Sequence, residues 1–361
     1  MKAVTIGSAM IDTIAIIDPA RIERMRMVNA DLSFLLLEEG RKTEALEVST
    51  HCGGGAVNAA VSLARLGLDV AALVKLGQDQ RAETVMARLM SERVSTRWVL
   101  RDGREPTGAS VLVASHDRNA AVFTFRGANT LLEPVDLRDD MFAADLVYIA
   151  SLSNKSADCF PEAVSRAKAQ GAFVAANPGI RQLASRGQEF FAALSKLDML
   201  AINRTEAETL VPQLVAKSGE HGPELDEKGG PLPELAKRGL LGGGFRMSLA
   251  GFFKALRAVG AKRIIVTDGR NGAYLGTSEG VFHQPPAEAK AAGSTGAGDA
   301  FNSTFAAFAA ARSAPAEALA AAAANSASVV EHIDTQSGLL KRDDLLARVK
   351  ATKVPAARAW T

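Results

Sequence analysis

Ser294-Thr295-Gly296-Ala297-Gly298-Asp299, running directly into Ala300-Phe301 and an apolar stretch, joins an anion cradle to a single carboxylate. Two glycines flanking an alanine let the chain turn sharply, so that successive backbone N–H groups aim at one point. A helix starting there adds the positive end of its dipole, and the turn then suits a phosphate or a developing oxyanion. A carboxylate at that place does not bind the anion; Asp299 is expected to take a proton from a hydroxyl that attacks a phosphate. The segment reads as phosphoryl transfer to an alcohol. An ordinary helix start with a favourable acid in its first turn would use the same residue types. Residue order excludes the two commonest phosphate loops, since no Gly-Lys-Ser or Gly-Lys-Thr closes a Walker loop and no Gly-x-Gly-x-x-Gly follows the first strand.

Outward from this turn, short apolar runs at 4–6, 70–74, 146–149, 173–176, 199–202 and 263–266 suit strands buried on both faces. They alternate with helical periodicity at 59–66, 83–90 and 157–169, which predicts a mainly parallel sheet with helices on both sides. Ligands of such sheets bind at the carboxyl ends of the strands. Asn177-Pro178-Gly179 and Asn203-Arg204 each follow a strand directly and are placed on that edge. Segments 13–17, 34–48, 98–101, 109–113 and 121–125 carry β-branched and alternating residues and read as antiparallel additions, with a hairpin turn at 117–120. Residues 212–250 are rich in turn formers and read as a surface insertion, and 351–361 as a C-terminal tail. The alanine-rich stretch 306–324, broken near Pro315, reads as two tightly packed helices.

Residues 293–301 resemble the C-terminal signature of the PfkB carbohydrate kinase family, the ribokinase-like kinases, whose pattern is Asp-Thr-x-Gly-Ala-Gly-Asp-Ala-Phe. The block Gly53-Gly54-Gly55-Ala56-Val57-Asn58, leading into an apolar helix, is similar to the family's other signature, Gly-Gly-x-x-x-Asn. Asn203-Arg204-Thr205-Glu206 resembles the Asn-x-x-Glu element near the magnesium and phosphates. Thr267-Asp268-Gly269-Arg270-Asn271-Gly272 resembles a nucleotide-binding Thr-x-Gly-x-x-Gly turn, and Asn325 with Thr335-Gln336 the segment that closes over the adenine.

The resemblance implies a three-layer α/β/α kinase domain over 1–350, with lid segments at about 13–50 and 98–126 forming a small β lid whose outer face often makes a homodimer. It implies ATP and Mg²⁺, with Asp299 as base and the Gly296, Ala297 and Gly298 backbone as anion hole. Asp12, Gly54, Gly55 and Asn58 would meet the sugar; Asn203, Thr267, Gly269, Gly272 and Asn325 would meet the nucleotide; and Glu206 would order waters on the metal. Each has a plainer use as well: Asp12 in a turn, Asn58 as a helix cap, Glu206 as a first-turn acid, the glycines in tight turns.

Departures from the family pattern narrow the expectation. Gly293 replaces the Asp that helps organise a monovalent-cation site, so weak or absent K⁺ activation is expected. Met10 stands where ribokinases carry Asn, and Gly55 where a Lys is common, which favours an unphosphorylated sugar or nucleoside. Arg41 and Lys42 in the lid leave room for an anionic acceptor such as a keto-deoxy sugar acid. A sensor of the same fold without catalysis is the alternative from a different class; the intact Gly-Ala-Gly-Asp speaks against it.

The 361 residues, 47% hydrophobic, are ample for a core. The net charge of +2, with Lys and Arg dispersed among nearly equal numbers of acids, gives no nucleic-acid footprint. The 2 cysteines, Cys52 and Cys159, fit a reduced compartment. Asp12 and Asp18 interrupt the first twenty residues, so no signal peptide is expected, and no apolar stretch is long enough to span a membrane. A cytoplasmic location is expected. The five histidines show no metal spacing.

Overall fold

The structure, a computed structural model, describes residues 1–18, 23–26, 33–36, 40, 42–114, 120–219, 222–226, 231–351 and 354–360. Residues 117–119 of the expected hairpin turn, Arg41, His116 and His221 lie outside the described residues. Seven strands pair in parallel, in the order Ile264–Thr267, Met199–Asn203, Phe173–Ala176, Leu146–Ile149, Lys2–Gly7, Asp69–Leu76 and Leu100–Arg101. Their apolar continuity has a visible cause. Leu146 and Tyr148 pack into the core on one face, with the helices Gly55–Arg65 and Ala297–Ala310; Val147 and Ile149 pack on the other, with Phe160–Ala169, Arg204–Ser218 and Leu249–Ala258. The fold is the expected three-layer α/β/α arrangement. Phe160, Phe190 and Phe252 are among the fully buried rings, each contributing roughly 1.5–3 kcal/mol of burial.

Three antiparallel strands extend the sheet: Ala273–Thr277, Gly280–Gln284 and Arg358–Trp360. The last corrects the reading of 351–361 as a tail: it forms the sheet's edge and buries Trp360. The described residues of 212–250 likewise form regular elements. They complete the Arg204–Ser218 helix, form the short helix Glu234–Arg238 and the hairpin Leu240–Gly242 with Phe245–Met247, and send Leu235, Leu240 and Met247 into the core. Their apolar side chains are spaced too unevenly among the glycines for a periodicity search to find them. The alanine-rich region folds as the helices Ala297–Ala310 and Pro315–Val329.

A second sheet, holding the segments expected to form the lid, has four strands in the order Ala45–Gly53, Met10–Ile17, Gly108–Ala114, Ala120–Phe125. Its central pair, Met10–Ile17 with Gly108–Ala114, is parallel. Leu100–Arg101 belongs to the main sheet instead, because Leu100 packs on the core beside Trp98. Ser33–Leu36 pairs separately with Glu23–Arg26.

The chain leaves Lys2–Gly7 toward Asp69–Leu76 on one side, and later strands are added on the other, beginning with Leu146–Ile149. The reversal opens a crevice at the carboxyl ends of Lys2–Gly7 and Leu146–Ile149, where such sheets bind ligands.

Candidate active site

The first glycine block is folded over the end of the first strand. Ser8 holds it twice, its carbonyl accepting from Ala56 N (3.1 Å) and its Oγ from Gly55 N (3.1 Å). Gly54 has φ of 97°, and a Cβ there would come within 2.5 Å of the Ser8 oxygen, so glycine is required by the turn itself. Gly53 lies against Asp12, whose Oδ2 would be 1.8 Å from a Cβ at that position. Asp12, on the lid strand Met10–Ile17, is buried, and its Oδ1 accepts from Ser110 Oγ on the neighbouring strand. Burial raises the Asp12 carboxyl above its ordinary value, against the lowering effects of Ser110 and His51.

The second block does start a helix. Gly296 is left-handed (φ 82°) against Thr335, and Ala297–Ala310 follows, with Ala300 N the first to bond back to Gly296 O (2.9 Å). The N–H groups before it have no intrahelical partner, and a Cβ at Gly298 would meet only open space. Asp299, one residue further, is partly open to the cleft. Enclosure by protein raises its carboxyl to about 6; Asn58 Nδ2, donating to Oδ2 at 2.8 Å, opposes the rise and Asp12 adds to it. A carboxyl tuned this way is ionised near neutral pH yet basic enough to accept a proton. A Cβ at Gly55 would lie 3.7 Å from Asp299 Oδ1 and 3.0 Å from Ala150 Cβ, which places both glycine blocks at the crevice.

Asn203 and Glu206 form a reciprocal cap on the Arg204–Ser218 helix. Asn203 Oδ1 accepts from Glu206 N (2.9 Å) and Glu206 Oε2 accepts from Asn203 N (2.8 Å). Burial raises Glu206 to about 7, and the Asp299 charge adds to the rise. Both residues line a cavity of about 490 Å³, with Ile180, Arg204, Thr267, Asp268, Gly269, Arg270 and Asn271. Arg204 Nη1 lies 3.1 Å from the buried Asp268 carboxylate. Helix start, arginines and a glycine turn with open space at Gly269 fit the phosphates of a nucleotide. Among the described residues no three His, Cys, Asp or Glu stand close enough to hold a metal ion. A magnesium ion here would therefore keep most of its waters and be bound by phosphate oxygens, as small hard cations with substrate phosphates usually are.

Four residues expected at the nucleotide end have protein contacts of their own. Asn325 is fully buried; its Nδ2 donates to Thr304 Oγ1 (2.8 Å) and its Oδ1 accepts from Leu340 N (2.9 Å), so both ends of the amide are used between helices. Thr335 and Gln336 donate to Asn58 Oδ1, at 2.9 and 3.0 Å, and so stand behind the first glycine block. Gly272 (φ 92°) is held beneath Gln284, where a Cβ would run into the carbonyl oxygen, so the turn itself requires glycine. Sequence reasoning missed Ser8, Ser110 and Tyr148. Tyr148 is fully buried, its hydroxyl has no hydrogen-bond partner among the described residues, and burial, with Asp299 and Glu206, raises it well above the usual phenol range. A continuously apolar strand gives no hint that its tyrosine lies close to Asp299 and Glu206.

The family model for pfkB family carbohydrate kinase matches residues 2–233 and 248–342. The chain belongs to this family of carbohydrate kinases. The gap in the match, 234–247, covers the short helix and hairpin that interrupt the family pattern here. This PfkB-family chain is 26% identical to a deoxyribokinase of Salmonella typhi over 275 residues, 74% of this chain and 78% of that one. The ribokinase of Arabidopsis thaliana, solved with ribose and ATP, superposes with a TM-score of 0.69 at 21% identity over 96% of this chain and 98% of the other. A nucleoside kinase of Burkholderia thailandensis, solved with inosine, superposes with a TM-score of 0.71 at 17% identity over 97% and 98%. At these identities the two structures establish the shared fold. No helix among the described residues is long and apolar enough to cross a membrane.

Proposed function

We propose that this chain transfers the γ-phosphoryl group of ATP to a hydroxyl of an unphosphorylated sugar or nucleoside. The observation that carries the reading is the position of Asp299: a carboxyl raised to about 6, in the first turn of a helix whose leading N–H groups have no intrahelical partner, Ala297 N making only a long 3.4 Å contact with Ser294 O. Asp299 accepts the proton of the attacking hydroxyl, while the Gly296, Ala297 and Gly298 N–H groups stabilise charge on the phosphoryl oxygens. Magnesium, when bound, neutralises phosphate charge, with Glu206 holding its waters. Asp12 accepts from substrate hydroxyls through Oδ2, since Ser110 uses Oδ1. Asn58, spent on Asp299, Thr335 and Gln336, acts through the base. Asn203, Thr267 and Gly269 line the nucleotide end. The lid excludes water, which would otherwise compete for the phosphoryl group, and its apolar outer face pairs with a second copy.

A second acceptor class has one specific observation behind it. Arg126, at the foot of the lid, donates to Ser153 Oγ (2.9 Å) and faces Arg181. Burial first, and then the Arg181 charge, pulls its guanidinium below the ordinary value; among the described residues neither arginine has a carboxylate within ion-pair distance. Two like charges beside Ser153, just past the end of Leu146–Ile149, suit a carboxylate-bearing acceptor, a sugar acid. Arg126 and Arg181 take the part that the sequence suggested for Arg41 and Lys42; Lys42 is exposed.

The test is ADP release from Mg-ATP over pentoses, hexoses, sugar acids, sugar phosphates and nucleosides, with Asp299→Asn and Arg126→Met alongside. Turnover on one acceptor class that disappears in Asp299→Asn supports the reading. Loss in Arg126→Met confined to sugar acids selects the second class. Silence on every acceptor refutes the proposal.

A further inference from the structure

Asn58 is gripped at both ends. Its Nδ2 donates to Asp299 Oδ2 at 2.8 Å, and its Oδ1 accepts from Thr335 Oγ1 at 2.9 Å and Gln336 Nε2 at 3.0 Å. A primary amide can occupy one site in two senses, and the reversed sense would set an oxygen against the carboxylate. The sense is decided only by a group whose hydrogen-bonding role cannot reverse.

Gln336 touches two such groups. Arg88 Nε, a donor only, reaches Gln336 Oε1 at 2.9 Å. The Cys52 carbonyl, an acceptor only, receives Gln336 Nε2 at 3.0 Å. Gln336 must therefore show its NH₂ to Asn58, and Asn58 must turn its oxygen to Gln336 and its NH₂ to Asp299. Arg88 is in turn 3.0 Å from Glu92, whose carboxylate also takes Arg65 at 2.7 and 3.0 Å. Arg65 Nη1 donates to Gln336 O (2.9 Å) and Leu339 O (2.6 Å), which pins the segment carrying Gln336. Gln336, Thr335 and Asn58 are all buried; Arg88 is about a third exposed, 32% by side chain, on the Gln80–Ser91 helix.

We propose that Gln336, oriented by Arg88, is a positioning residue that fixes the Asn58 amide as a donor to Asp299. This rests on Asp299 being the base. The titratable groups facing Asp299 are Asp12 from the lid strand, Glu206 from the Arg204–Ser218 helix and Tyr148 from the strand beneath, with His51 facing Asp12. None of those in direct electrostatic contact with Asp299 is a cation. Beside the helix start, the Asn58 donor is thus the side chain that favours the ionised carboxylate, and a reversed amide would oppose it.

The experiment is a ¹³C NMR titration of the Asp299 carboxyl in the full chain, assigned by Asp299→Asn, for the wild type, Gln336→Leu and Arg88→Met. The expected result is a midpoint raised by about one unit in Gln336→Leu, a tenfold change in proton affinity, and raised less in Arg88→Met. The acid limb of kcat against pH should move with it, activity recovering at high pH. Midpoints unchanged in both variants, or kcat lowered equally at every pH, would overturn the proposal. If Gln336→Leu does not fold, Arg88→Met at its partly exposed position decides. Because the titration uses no substrate, silence on the acceptor panel would count against the kinase reading and not against this one.

Discussion

Asn58 and Asp299, 241 residues apart in the chain, meet through a 2.8 Å hydrogen bond at the crevice. The two glycine-rich motifs are thereby one site: the first supplies the donor and the second the carboxylate. Asp299→Asn keeps an acceptor for Asn58 and removes only the base. The expected loss in kcat is about 10²–10⁴-fold, with KM for ATP little changed. A kcat near that of the wild type would remove Asp299 from the role.

Glu206 leads to a stability prediction. A carboxyl whose folded value, about 7, stands above its ordinary 4.5 binds more protons folded than unfolded between those limits. Stability therefore falls as pH rises through that window and levels off above it. Glu206→Gln keeps the acceptor for Asn203 N–H without the charge, so Tm of the variant relative to wild type should be higher at pH 8 than at pH 5. Equal differences at both pH values would contradict it. Asp299, raised to about 6, shares this window, so the readout is the difference between variant and wild type; the lowered carboxyls Asp79, Glu92, Asp198 and Asp334 lie below it.

Gly293 gives a third. Its N–H donates to Val330 O at 3.1 Å, and a Cβ would stand 2.9 Å from His332 O, so the backbone of 330–333 closes over the position where the family's acid resides. Replacing K⁺ by tetramethylammonium at constant ionic strength should leave the rate unchanged. A steep rise with K⁺ would show a cation site built from other groups.

The fourth concerns the lid. Val48, Val111, Phe123 and Phe125 share its outer face, and Val48 and Phe123 are more than half exposed, at 64% and 61%. Such a face on a sheet invites a second copy. Light scattering should give a dimer for the wild type and a monomer for Phe123→Glu; a monomeric wild type at micromolar concentration would dismiss the pairing.

The layers of the fold were legible because buried parallel strands must be apolar throughout, as 146–149 and 199–202 are. Asp299 and its helix start were legible because a glycine turn before an acid has few physical uses. Ser8, Ser110 and the place of Gln336 behind Asn58 were not, since they depend on strand register and on chain segments far apart. Asn325 shows a related limit: an amide suited to a ligand is as well suited to tying two helices, and only packing shows the partners it has. The core of 212–250 and the edge strand at 358–360 were hidden by short apolar runs without a period.

That edge strand bears on how the protein is made. Gly280–Gln284 has an open row of backbone donors and acceptors on one side until Arg358–Trp360 pairs with it. On the ribosome, the kinase site's own motifs emerge well before residue 358, so the nascent chain can assemble its catalytic end while its sheet still has an adhesive border. The interval before that strand docks is when contact between neighbouring nascent chains is most dangerous.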